Sequence, residues 1–297
     1  MPKILVIGAA NVDIIGVANQ PLLAHDSNPG SIELSVGGVA KNIAENLKHL
    51  ELDVQLFAFL GDDAFSELIR ADLTKLNLDY SLSLQMHHRS PQFLSIHNQA
   101  GELELAIHDN RLLETLQPTD FENILPKLEV FDVLVFDTNL PEPVLVYLIE
   151  KLKHKTIIVD GVSMAKVIKI KSVLSDISLL KVNRHELSAL LGKPADDIIL
   201  SVKELLKSGL RQIIVTNGPN PITYNIDKSI YQTFIFEAKN PISSIGCGDA
   251  LLSGVIYGIV MHKTMHEAIN YGKKAASMTM EVPTACHPGL NCHSIEE

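Results

Sequence analysis

The stretch VLVFDTNLPEPVLVYLIEKLKHKTIIVD, residues 133–160, decides the fold class of this chain. Two short apolar runs, VLVFD and TIIVD, flank a segment whose apolar residues recur at spacings of three and four. The runs have the length and composition of strands buried on both faces, whereas the segment between them has the period of an amphipathic helix. A strand, a helix and a second strand form the unit from which parallel sheets are built.

The same alternation covers much of the chain. Apolar runs of strand length occur at 3–8 (KILVIG), 54–60 (VQLFAFL) and 212–216 (QIIVT), and amphipathic segments such as KNIAENLKHL and DDIILSVKELLKSG lie among them. We therefore predict an α/β fold with a mainly parallel central sheet and helices on both faces.

Two segments break this alternation. Residues 14–36 show no helical period, and residues 90–108 contain two runs of period two around Gln99-Ala100-Gly101, which predicts a hairpin. No internal repeat and no shift in composition marks a linker. We expect one domain over residues 1–297, from which strands at about 14–36 and 90–108 project as a small lid.

Composition argues against several classes of protein. The chain has 297 residues, of which 46% are hydrophobic, enough for a large core. Its 25 basic and 35 acidic residues give a net charge of −10 without a long basic run, so we expect no nucleic-acid partner. No apolar run approaches the roughly 18 residues of a membrane span, and the N-terminus does not resemble a signal peptide. Three cysteines fit a reducing cytoplasm, where we expect this protein to act on a small molecule.

Ligands of open α/β sheets bind at the carboxyl ends of the strands, so a site is expected in the turns after the apolar runs. The first such turn is GAANVD, residues 8–13, which does not match the glycine pattern of dinucleotide-binding proteins. Asn11 and Asp13 lie two residues apart on an extended segment, where they point to one side and could bind a polyol. A turn capped by these two side chains explains them equally well.

A second turn contains a pair of glycines. In SVGGVAKNIAENL, Gly37 and Gly38 lead directly into an amphipathic segment. Paired glycines let a ligand approach the backbone closely at a helix N-terminus, and Asn42, one turn further on, faces the same place. A plain tight turn is an equally good explanation.

A third turn, in LLKVNRHELSALLG, places Asn183 and Glu186 after an apolar strand and at the start of a helix. Their spacing puts both on one helix face, and a carboxylate with an amide suits a water-rich magnesium ion. A capping arrangement, with Asn183 as the N-cap and Glu186 three residues later, is the better explanation of this motif alone.

The fourth turn lies in SSIGCGDALLSG, residues 243–254. Gly246, Cys247 and Gly248 precede a long apolar helix that we predict from about Ala250 to Met261. The N–H groups of such a turn point outward at the positive end of the helix dipole, which suits an anion. Asp249 could accept the proton of a hydroxyl group that attacks a phosphate. It could instead only stabilise the helix, but that role gives no reason for the flanking glycines.

Together these motifs resemble, in order, those of the ribokinase-like pfkB family of sugar and nucleoside kinases, from Lys3 to about Ser294. The resemblance implies ATP-dependent phosphoryl transfer, with Asp249 as the catalytic base and the backbone of residues 246–248 as the anion hole. It implies that Asn183 and Glu186 organise magnesium and phosphate. It further implies an acceptor site formed by Asn11, Asp13, Gly37, Gly38, Asn42, Ser163 and Lys166, and a nucleotide site formed by Asn183, Thr216, Gly218, Gly246 and Gly248. Lys166 falls where related kinases often have a cation near the phosphates.

Within this family, SVGGVAKNIAENLKHL, NLPEPVL and VDGVSMAK look most like the pseudouridine kinases, which phosphorylate the 5′-hydroxyl group of a nucleoside. Ribokinases and kinases of adenosine, inosine or guanosine are alternatives, as is a nucleoside-binding regulator without catalysis. The resemblance implies ATP, Mg²⁺ and a K⁺ ion near the anion hole. A homodimer through the lid strands is also expected, because an exposed sheet edge favours a partner.

The sequence departs from the family pattern at three positions. In the nucleotide loop TNGPNP, Thr216 and Gly218 match but Pro221 replaces a glycine, which predicts a reshaped loop. Gly161 stands where the pseudouridine kinases usually have proline, a local change. Cys247 stands where alanine is usual, and since cysteine is small and tolerates burial, it fits the turn. A helix N-terminus lowers the pKa of a thiol, so a reactive thiol is the alternative, but phosphoryl transfer requires no nucleophilic thiol.

A cysteine and histidine cluster near the end of the chain also needs an explanation. The stretch CHPGLNCH contains Cys286, His287, Cys292 and His293. Its spacing is not that of a zinc knuckle or ribbon, so we do not expect structural zinc. The family resemblance instead places this stretch over the adenine end of the nucleotide site.

Overall fold

The structure is a computed structural model that describes residues 1–296 of the chain. The strands within these residues are β1 (Ile4–Ile7), β2 (Asn11–Ala18), β3 (Gly30–Gly37), β4 (Val54–Phe57), β5 (Phe59–Leu60), β6 (Leu84–Gln85), β7 (Gln92–His97), β8 (Leu103–Asp109), β9 (Val133–Asp137), β10 (Thr156–Asp160), β11 (Leu179–Asn183), β12 (Gln212–Asn217), β13 (Asn220–Ile226) and β14 (Ser229–Thr233).

The helices within these residues are α1 (Val39–His49), α2 (Ala64–Lys75), α3 (Arg111–Glu114), α4 (Leu125–Leu128), α5 (Glu142–Leu152), α6 (Met164–Val167), α7 (Arg184–Leu191), α8 (Ile198–Leu205), α9 (Cys247–Val260), α10 (Met265–Thr279) and α11 (Cys292–Glu296). Short 3₁₀ helices lie at Pro118–Phe121, Ile168–Asp176 and Leu206–Ser208.

An eight-stranded sheet forms the centre of the molecule, in the order β14-β13-β12-β11-β10-β9-β1-β4. The pairs from β4 to β12 are parallel, and only β13 and β14 at one edge are antiparallel. The predicted mainly parallel sheet is therefore confirmed. One predicted strand, 54–60, is divided at Ala58, and its second part pairs with β6 instead of the central sheet.

The central strands are apolar at successive residues because a separate hydrophobic core covers each face of the sheet. In β1, Ile4 and Val6 belong to the core that includes residues of α1, α9 and α10, whereas Leu5 and Ile7 belong to the core that includes residues of α5, α7 and α8. Successive side chains of a strand point to opposite faces, so both faces need apolar residues. Helices thus cover both faces, as the sequence predicts.

A second, four-stranded sheet has the order β3-β2-β7-β8. Its strands occupy the two segments whose sequence breaks the helix and strand alternation, although β2 begins at Asn11, earlier than residue 14. Strands β7 and β8 form the hairpin expected around Gln99-Ala100-Gly101, with the turn closed by the Gly101 N–H donating to the carbonyl oxygen of Asn98.

Helix α9 is buried around almost its whole surface, which explains its uniformly apolar sequence. Its contact with α10 is close at two glycines: a Cβ atom added to Gly254 would lie 2.6 Å from the carbonyl oxygen of Tyr271 and 2.7 Å from the Cα atom of Gly272. Among residues 1–296, no helix combines the length and the apolar character that crossing a membrane requires.

We predict that Gly254→Ala lowers the free energy of unfolding by about 1–3 kcal/mol, because the added methyl group forces α9 and α10 apart. This loss should exceed the gain of about 1 kcal/mol in helix propensity. The control is Gly16→Ala in β2, where the added atom would come no closer than 3.7 Å to the Ser95 carbonyl oxygen. Urea denaturation of both variants measures the difference, and equal stabilities would contradict the prediction.

Candidate active site

The site lies at the carboxyl ends of the central strands. Strands β9 and β10 end side by side, with Asp137 directly opposite Asp160 in the parallel register, and Asn183 at the end of β11 is opposite Thr216 of β12. The first residues of helices α1 and α9 meet here, since the Asn42 side chain of α1 contacts Asp249 of α9. The polar residues that follow separate apolar runs are thus brought to one edge of the sheet.

Asp249 is the central carboxylate of this edge. Its side chain is buried and accepts a hydrogen bond from Nδ2 of Asn42 at 2.9 Å. Burial, assisted by the negative charge of Asp160, raises the pKa of Asp249 to about 7, while Lys181 and Asn42 act in the opposite direction. A carboxyl group with this pKa exchanges a proton near neutral pH.

The turn before Asp249 requires glycine at position 246, and at position 248 a side chain would displace a lysine. Gly246 has φ +74° and is the N-cap of α9, which begins at Cys247 and not near Ala250 as predicted. A Cβ atom on Gly246 would collide with the backbone of Ala285, and one on Gly248 would lie 2.6 Å from Nζ of Lys181. The Cys247 N–H donates to the carbonyl oxygen of Ser244 at 3.4 Å. The other N–H groups at the start of a helix have no partner within it, and those of Gly246 and Gly248 lie beside a lysine at the positive end of the helix dipole.

Lys181 is a functional candidate that the sequence analysis missed. It lies on β11, and its Nζ is 2.9 Å from Oδ2 of Asp160. Burial by itself would lower the pKa of Lys181, but the carboxylates of Asp160, Asp249 and Glu186 outweigh burial and raise it. The lysine therefore remains a cation next to the N-terminus of α9. The signal in the sequence is a single lysine inside the apolar run LLKVN.

The structure argues against a reactive thiol at Cys247, the less favoured alternative that the sequence leaves open. Burial, and then the charge of Asp249, raises the pKa of Cys247 to about 11. Its Sγ atom is 3.8 Å from the carbonyl oxygen of Ser243, which it can contact only as a weak donor. The nearby carboxylate and the loss of water thus outweigh the helix dipole, and the thiol stays protonated at neutral pH.

Four residues predicted to bind the acceptor lie together at the start of the small sheet. Nδ2 of Asn11 donates to Oδ1 of Asp13 at 2.5 Å, and burial raises the pKa of Asp13 to about 6. A Cβ atom on Gly37 would collide with the Asp13 carboxylate, and one on Gly38, where φ is +106°, would collide with the Ala9 carbonyl. Gly37 is thus packed against the Asp13 side chain and Gly38 against the backbone of the loop after β1, so both glycines lie at close contacts and not only at a turn.

Asn42 joins these acceptor residues to Asp249. Its side chain is 7% exposed, and with Nδ2 engaged by Asp249, its Oδ1 has no hydrogen-bond partner among the described residues. A buried acceptor without a partner costs free energy, and a donor from a bound ligand is one way to satisfy it. A hydroxyl group placed there would also be adjacent to the Asp249 carboxylate.

Asp137 is a second residue that the sequence analysis missed. Its fully buried carboxylate accepts hydrogen bonds from the backbone N–H groups of Ala9 at 2.9 Å, Ala40 at 3.2 Å and Asn139 at 2.9 Å. Burial raises the pKa of Asp137, although these hydrogen bonds oppose the shift. Asp137 thus fixes the loop after β1 and the start of α1, and its signal is the acid that ends the run VLVFD.

Asn183 and Glu186 form the capping arrangement that the sequence favours. The Glu186 N–H donates to Oδ1 of Asn183 at 2.9 Å, and the Asn183 N–H donates back to Oε2 of Glu186 at 2.9 Å. Burial raises the pKa of Glu186. Within residues 1–296 there is no cluster of three or more His, Cys, Asp or Glu side chains able to hold a metal ion. A magnesium ion that is bound mainly by phosphates and water needs only one or two protein carboxylates, and Glu186 fits that limited role.

The loop after β10 carries Ser163 and Lys166. Nζ of Lys166 donates to Oδ1 of Asn139 at 2.6 Å, and burial lowers the pKa of Lys166. Ser163 is the N-cap of α6, but its side chain makes no capping hydrogen bond. Gly161, which the sequence analysis treats as a local change, contacts the Glu186 side chain closely. A Cβ atom added to Gly161 would lie 2.7 Å from Oε2 of Glu186.

Thr216 and Gly218 lie at the hairpin that joins β12 and β13. Oγ1 of Thr216 is 3.5 Å from the carbonyl oxygen of Val182, and Gly218 has φ +57°, a left-handed conformation that suits glycine. Pro221 is the second residue of β13. Pro221, which departs from the family pattern, therefore lies in the hairpin of β12 and β13, just after its tight turn.

The side chains of CHPGLNCH point in different directions. The Cys286 thiol is buried against the Asn42 carbonyl at 3.5 Å, whereas Nδ1 of His287 accepts a hydrogen bond from the Gly289 N–H at 3.0 Å. Cys292 begins α11. The segment thus packs against the start of α1 with its first cysteine turned inward.

A parallel α/β sheet with a buried carboxylate at a helix N-terminus, beside a lysine and backbone N–H groups, suits the transfer of phosphate to an alcohol group. The chain belongs to the pfkB family of carbohydrate kinases, whose family model matches residues 1–291. Its acceptor is therefore a small sugar or nucleoside.

Similar proteins support this assignment over the full length. The chain is 28% identical to the uncharacterized sugar kinase YeiI of Escherichia coli K12, over 97% of this chain and 80% of that protein. It is 26% identical to the pseudouridine kinase of the same organism, over 98% of this chain and 95% of that protein. The Arabidopsis thaliana ribokinase, solved with ribose and ATP, has the same fold, with a TM-score of 0.87 at 20% identity over 99% of this chain and 97% of that one.

We predict that Lys181→Met lowers the free energy of unfolding by about 3 kcal/mol or more, because it leaves the Asp160 carboxylate buried without its cation. Adding Asp160→Asn to that variant should recover part of the loss, since the unpaired charge is removed. Urea denaturation of the two single variants and the double variant measures this coupling. If the stability losses of the two single variants simply add in the double variant, the two side chains do not stabilise each other.

Proposed function

We propose that this protein uses ATP to phosphorylate the 5′-hydroxyl group of a nucleoside, with pseudouridine as the substrate and pseudouridine 5′-phosphate as the product. The observation that carries the proposal is the contact between Asn42 and Asp249, which pairs an unpartnered amide oxygen with a carboxylate of pKa about 7. The likeness to a pseudouridine kinase over 98% of the chain favours this nucleoside among the sugar and nucleoside acceptors of the family.

In the proposed reaction, the acceptor hydroxyl group donates a hydrogen bond to Oδ1 of Asn42 before the transfer. Asp249 then takes its proton as the hydroxyl oxygen attacks the γ-phosphorus, and ADP leaves. Because the pKa of Asp249 is raised by burial and by Asp160 to about 7, the group is a stronger base than an exposed aspartate while still largely ionised just above neutral pH.

In this proposal, positively charged groups at the start of α9 stabilise the transferred phosphoryl group, on the side away from the acceptor hydroxyl group. The N–H groups at Gly246, Cys247 and Gly248 and the ammonium group of Lys181 present positive charge that is already in place, so little reorganisation is needed during transfer. A magnesium ion bound with ATP supplies further charge neutralisation, and Glu186 with Asn183 is the group that would hold it. A potassium ion near this turn stays a prediction of the family resemblance, and no step depends on it.

The two substrates approach from different sides of this edge. Asn11, Asp13, Gly37 and Gly38 hold the ribose of the acceptor, while Thr216 and Gly218 contact the nucleotide. The small sheet is the lid over the acceptor, and its closure excludes water that would otherwise hydrolyse ATP.

Other acceptors and a non-catalytic role are the alternatives to this proposal. Ribose, adenosine, inosine and guanosine would use the same catalytic residues, and a regulator would bind a nucleoside without turnover. A coupled assay of ADP formation with pseudouridine, uridine, adenosine, inosine and ribose distinguishes these possibilities. Turnover of ribose or adenosine without turnover of pseudouridine would reject the proposed substrate but keep the kinase.

We predict that Asp249→Asn lowers kcat at least about a hundredfold, the usual contribution of a general base. For the native enzyme, kcat/KM for the acceptor should fall about tenfold for each pH unit below about 7, because protonated Asp249 cannot accept a proton. A pH profile without this acid limb, or a variant of near-native activity, would show that another group is the base.

The same variant should be more stable than the native protein. A raised carboxyl pKa means that the folded state holds the proton more tightly than the unfolded chain, so stability is lost as pH rises toward 7 and Asp249 ionises. Asp249→Asn removes this buried charge and should raise the free energy of unfolding at pH 8 by roughly 1–4 kcal/mol. This control separates loss of catalysis from loss of folding.

We further propose that two copies of the chain pair through the small sheet. Ile32, Leu34, Leu105 and Ile107 are each more than half exposed, and the strand register places all four on one face. Asp13 lies on the opposite face because side chains alternate along a strand. A contiguous apolar face that points away from the acceptor would be unfavourable in water and favours contact with a partner. We therefore propose that the two copies meet through this face and not through the edge of the sheet.

We predict that Ile32→Glu combined with Ile107→Glu produces a monomer, because each dimer would bury four carboxylates. The matched control is Ser31→Glu, which adds a charge to the neighbouring residue on the opposite face. Light scattering coupled to size-exclusion chromatography measures the mass at micromolar concentration. A native protein that is already monomeric there would reject the dimer.

A further inference from the structure

Lys41, in the first turn of α1, contacts two of the connections between the small sheet and the rest of the molecule. Its backbone N–H donates to the carbonyl oxygen of Ala9, just before β2, at 3.3 Å. Its Nζ donates to the carbonyl oxygen of Val36, one residue before the end of β3, at 3.2 Å. One residue of α1 therefore holds the start of β2 and the end of β3, where Asn11 and Gly37 lie.

The ammonium group of Lys41 is held by two carboxylates. Lys41 is only 5% exposed, and it forms ion pairs with Glu45, one turn further along α1, and with Asp72 of α2, whose Oδ2 is 3.1 Å from Nζ. Burial by itself would lower the pKa of Lys41, but these carboxylates outweigh burial and raise it. The Cys286 thiol also lies near this charge, and since burial raises its pKa well above the ordinary value, it is neutral. Lys41 is therefore a cation that is anchored to two helices.

The positive charge of Lys41 acts on Asp13, one of the proposed acceptor residues. Burial raises the pKa of Asp13 to about 6, while the hydrogen bond from Asn11 and the charge of Lys41 oppose this shift. The strand register places Ser35 of β3 and Phe93 of β7 opposite Asp13, and neither carries a charge. Lys41 is thus a nearby cation that favours the ionised form of Asp13.

We propose that Lys41 is a positioning residue for the acceptor: its contacts fix the small sheet against α1, and its charge favours the carboxylate form of Asp13. Apolar side chains of similar size often stabilise a fold as well as a buried ion pair does, so stability alone does not explain a lysine at this position. The inference rests on the proposed kinase function, in which Asp13 holds the ribose of the acceptor. Thr216 and Gly218, which we propose contact the nucleotide, lie at the hairpin of β12 and β13, outside these contacts. An effect on the acceptor without an effect on ATP is therefore expected.

The first test is Lys41→Met, assayed with pseudouridine and with ribose. A small displacement of the acceptor residues should lower kcat/KM for both acceptors about 10- to 100-fold, while KM for ATP changes less than about threefold. The matched control is Lys155→Met. Nζ of Lys155 donates to the Glu129 carbonyl oxygen at 2.6 Å and lies 3.6 Å from the Glu129 carboxylate, but Lys155 directly precedes β10, at the end of the strand away from the site. Equal losses for the acceptors and for ATP, or native values in Lys41→Met, would overturn the inference.

A milder variant covers the case in which Lys41→Met does not fold. The side chain of Asp72 is 30% exposed, so Asp72→Asn removes one anchor of Lys41 at little cost to folding. It should lower kcat/KM for the acceptors about two- to fivefold, the contribution of a partly exposed ion pair, again without a change in KM for ATP. Native kcat/KM for the acceptors in this variant would contradict the anchoring of Lys41.

The pH dependence of acceptor binding distinguishes the charge of Lys41 from a purely structural role. Pseudouridine is titrated calorimetrically into Asp249→Asn, in which position 249 does not ionise. Its affinity should fall as pH decreases through about 6, where Asp13 takes up a proton and can accept fewer hydrogen bonds. Adding Lys41→Met should raise the pKa of Asp13 and move this fall to higher pH, whereas adding Lys155→Met should not move it. A profile that loses affinity without moving would overturn the role of the charge.

Hydrogen exchange separates this inference from the proposed function, because it requires no substrate. Lys41→Met should speed amide exchange in β2 and β3, whereas Lys155→Met should not. Faster exchange supports the positioning of the small sheet even if the native protein phosphorylates no acceptor, a result that would reject the proposed function itself. Unchanged exchange in these two strands rejects the positioning even if the kinase is active.

Discussion

The ion pair between Lys181 and Asp160 is the interaction on which the site depends. Three further carboxylates, those of Asp137, Glu186 and Asp249, are buried near the same edge of the sheet. Repulsion among them would be severe in a medium of low dielectric constant. Lys181, together with Lys166 near Asp137 and with backbone N–H groups, offsets it. The excess of negative charge is a reason for the raised pKa of Asp249, and it also creates a place where the cations that accompany ATP are favoured.

Close backbone packing is the second requirement, and it explains why the site is rich in glycine. Gly248 is adjacent to Lys181, and Gly246 is adjacent to Ala285, so any side chain would displace either the cation or the segment that covers the turn. The small sheet is fixed in the same way, since Gly38 rests against the Ala9 carbonyl. These contacts join parts of the chain that are distant in sequence.

The sequence predicts the elements of this arrangement better than their electrostatics. Apolar runs and amphipathic periods locate the central sheet, because burial on both faces leaves a strong pattern. The environment of Cys247 could not be predicted, since its pKa depends on burial and on Asp249, and the helix dipole acts in the other direction. Lys181 and Asp137 were missed because a charged residue in an apolar run has meaning only when its partner, more than 20 residues away, is known.

Asp160 connects the two halves of the site through its two oxygens. Oδ2 binds Lys181 beside the anion-binding turn, and Oδ1 accepts the N–H of Val162 in the turn that leads to Lys166. Val162 has φ +58°, a left-handed conformation that is unfavourable for a β-branched residue. A single buried carboxylate therefore links the turn that we propose binds phosphate to the segment, with Lys166, that we propose lies at the acceptor. Phosphoryl transfer depends on the alignment of two substrates more than on covalent chemistry, so a fixed link between their binding elements serves catalysis directly. The cost of burying this charge and of straining Val162 is consistent with that purpose, because neither feature stabilises the fold by itself.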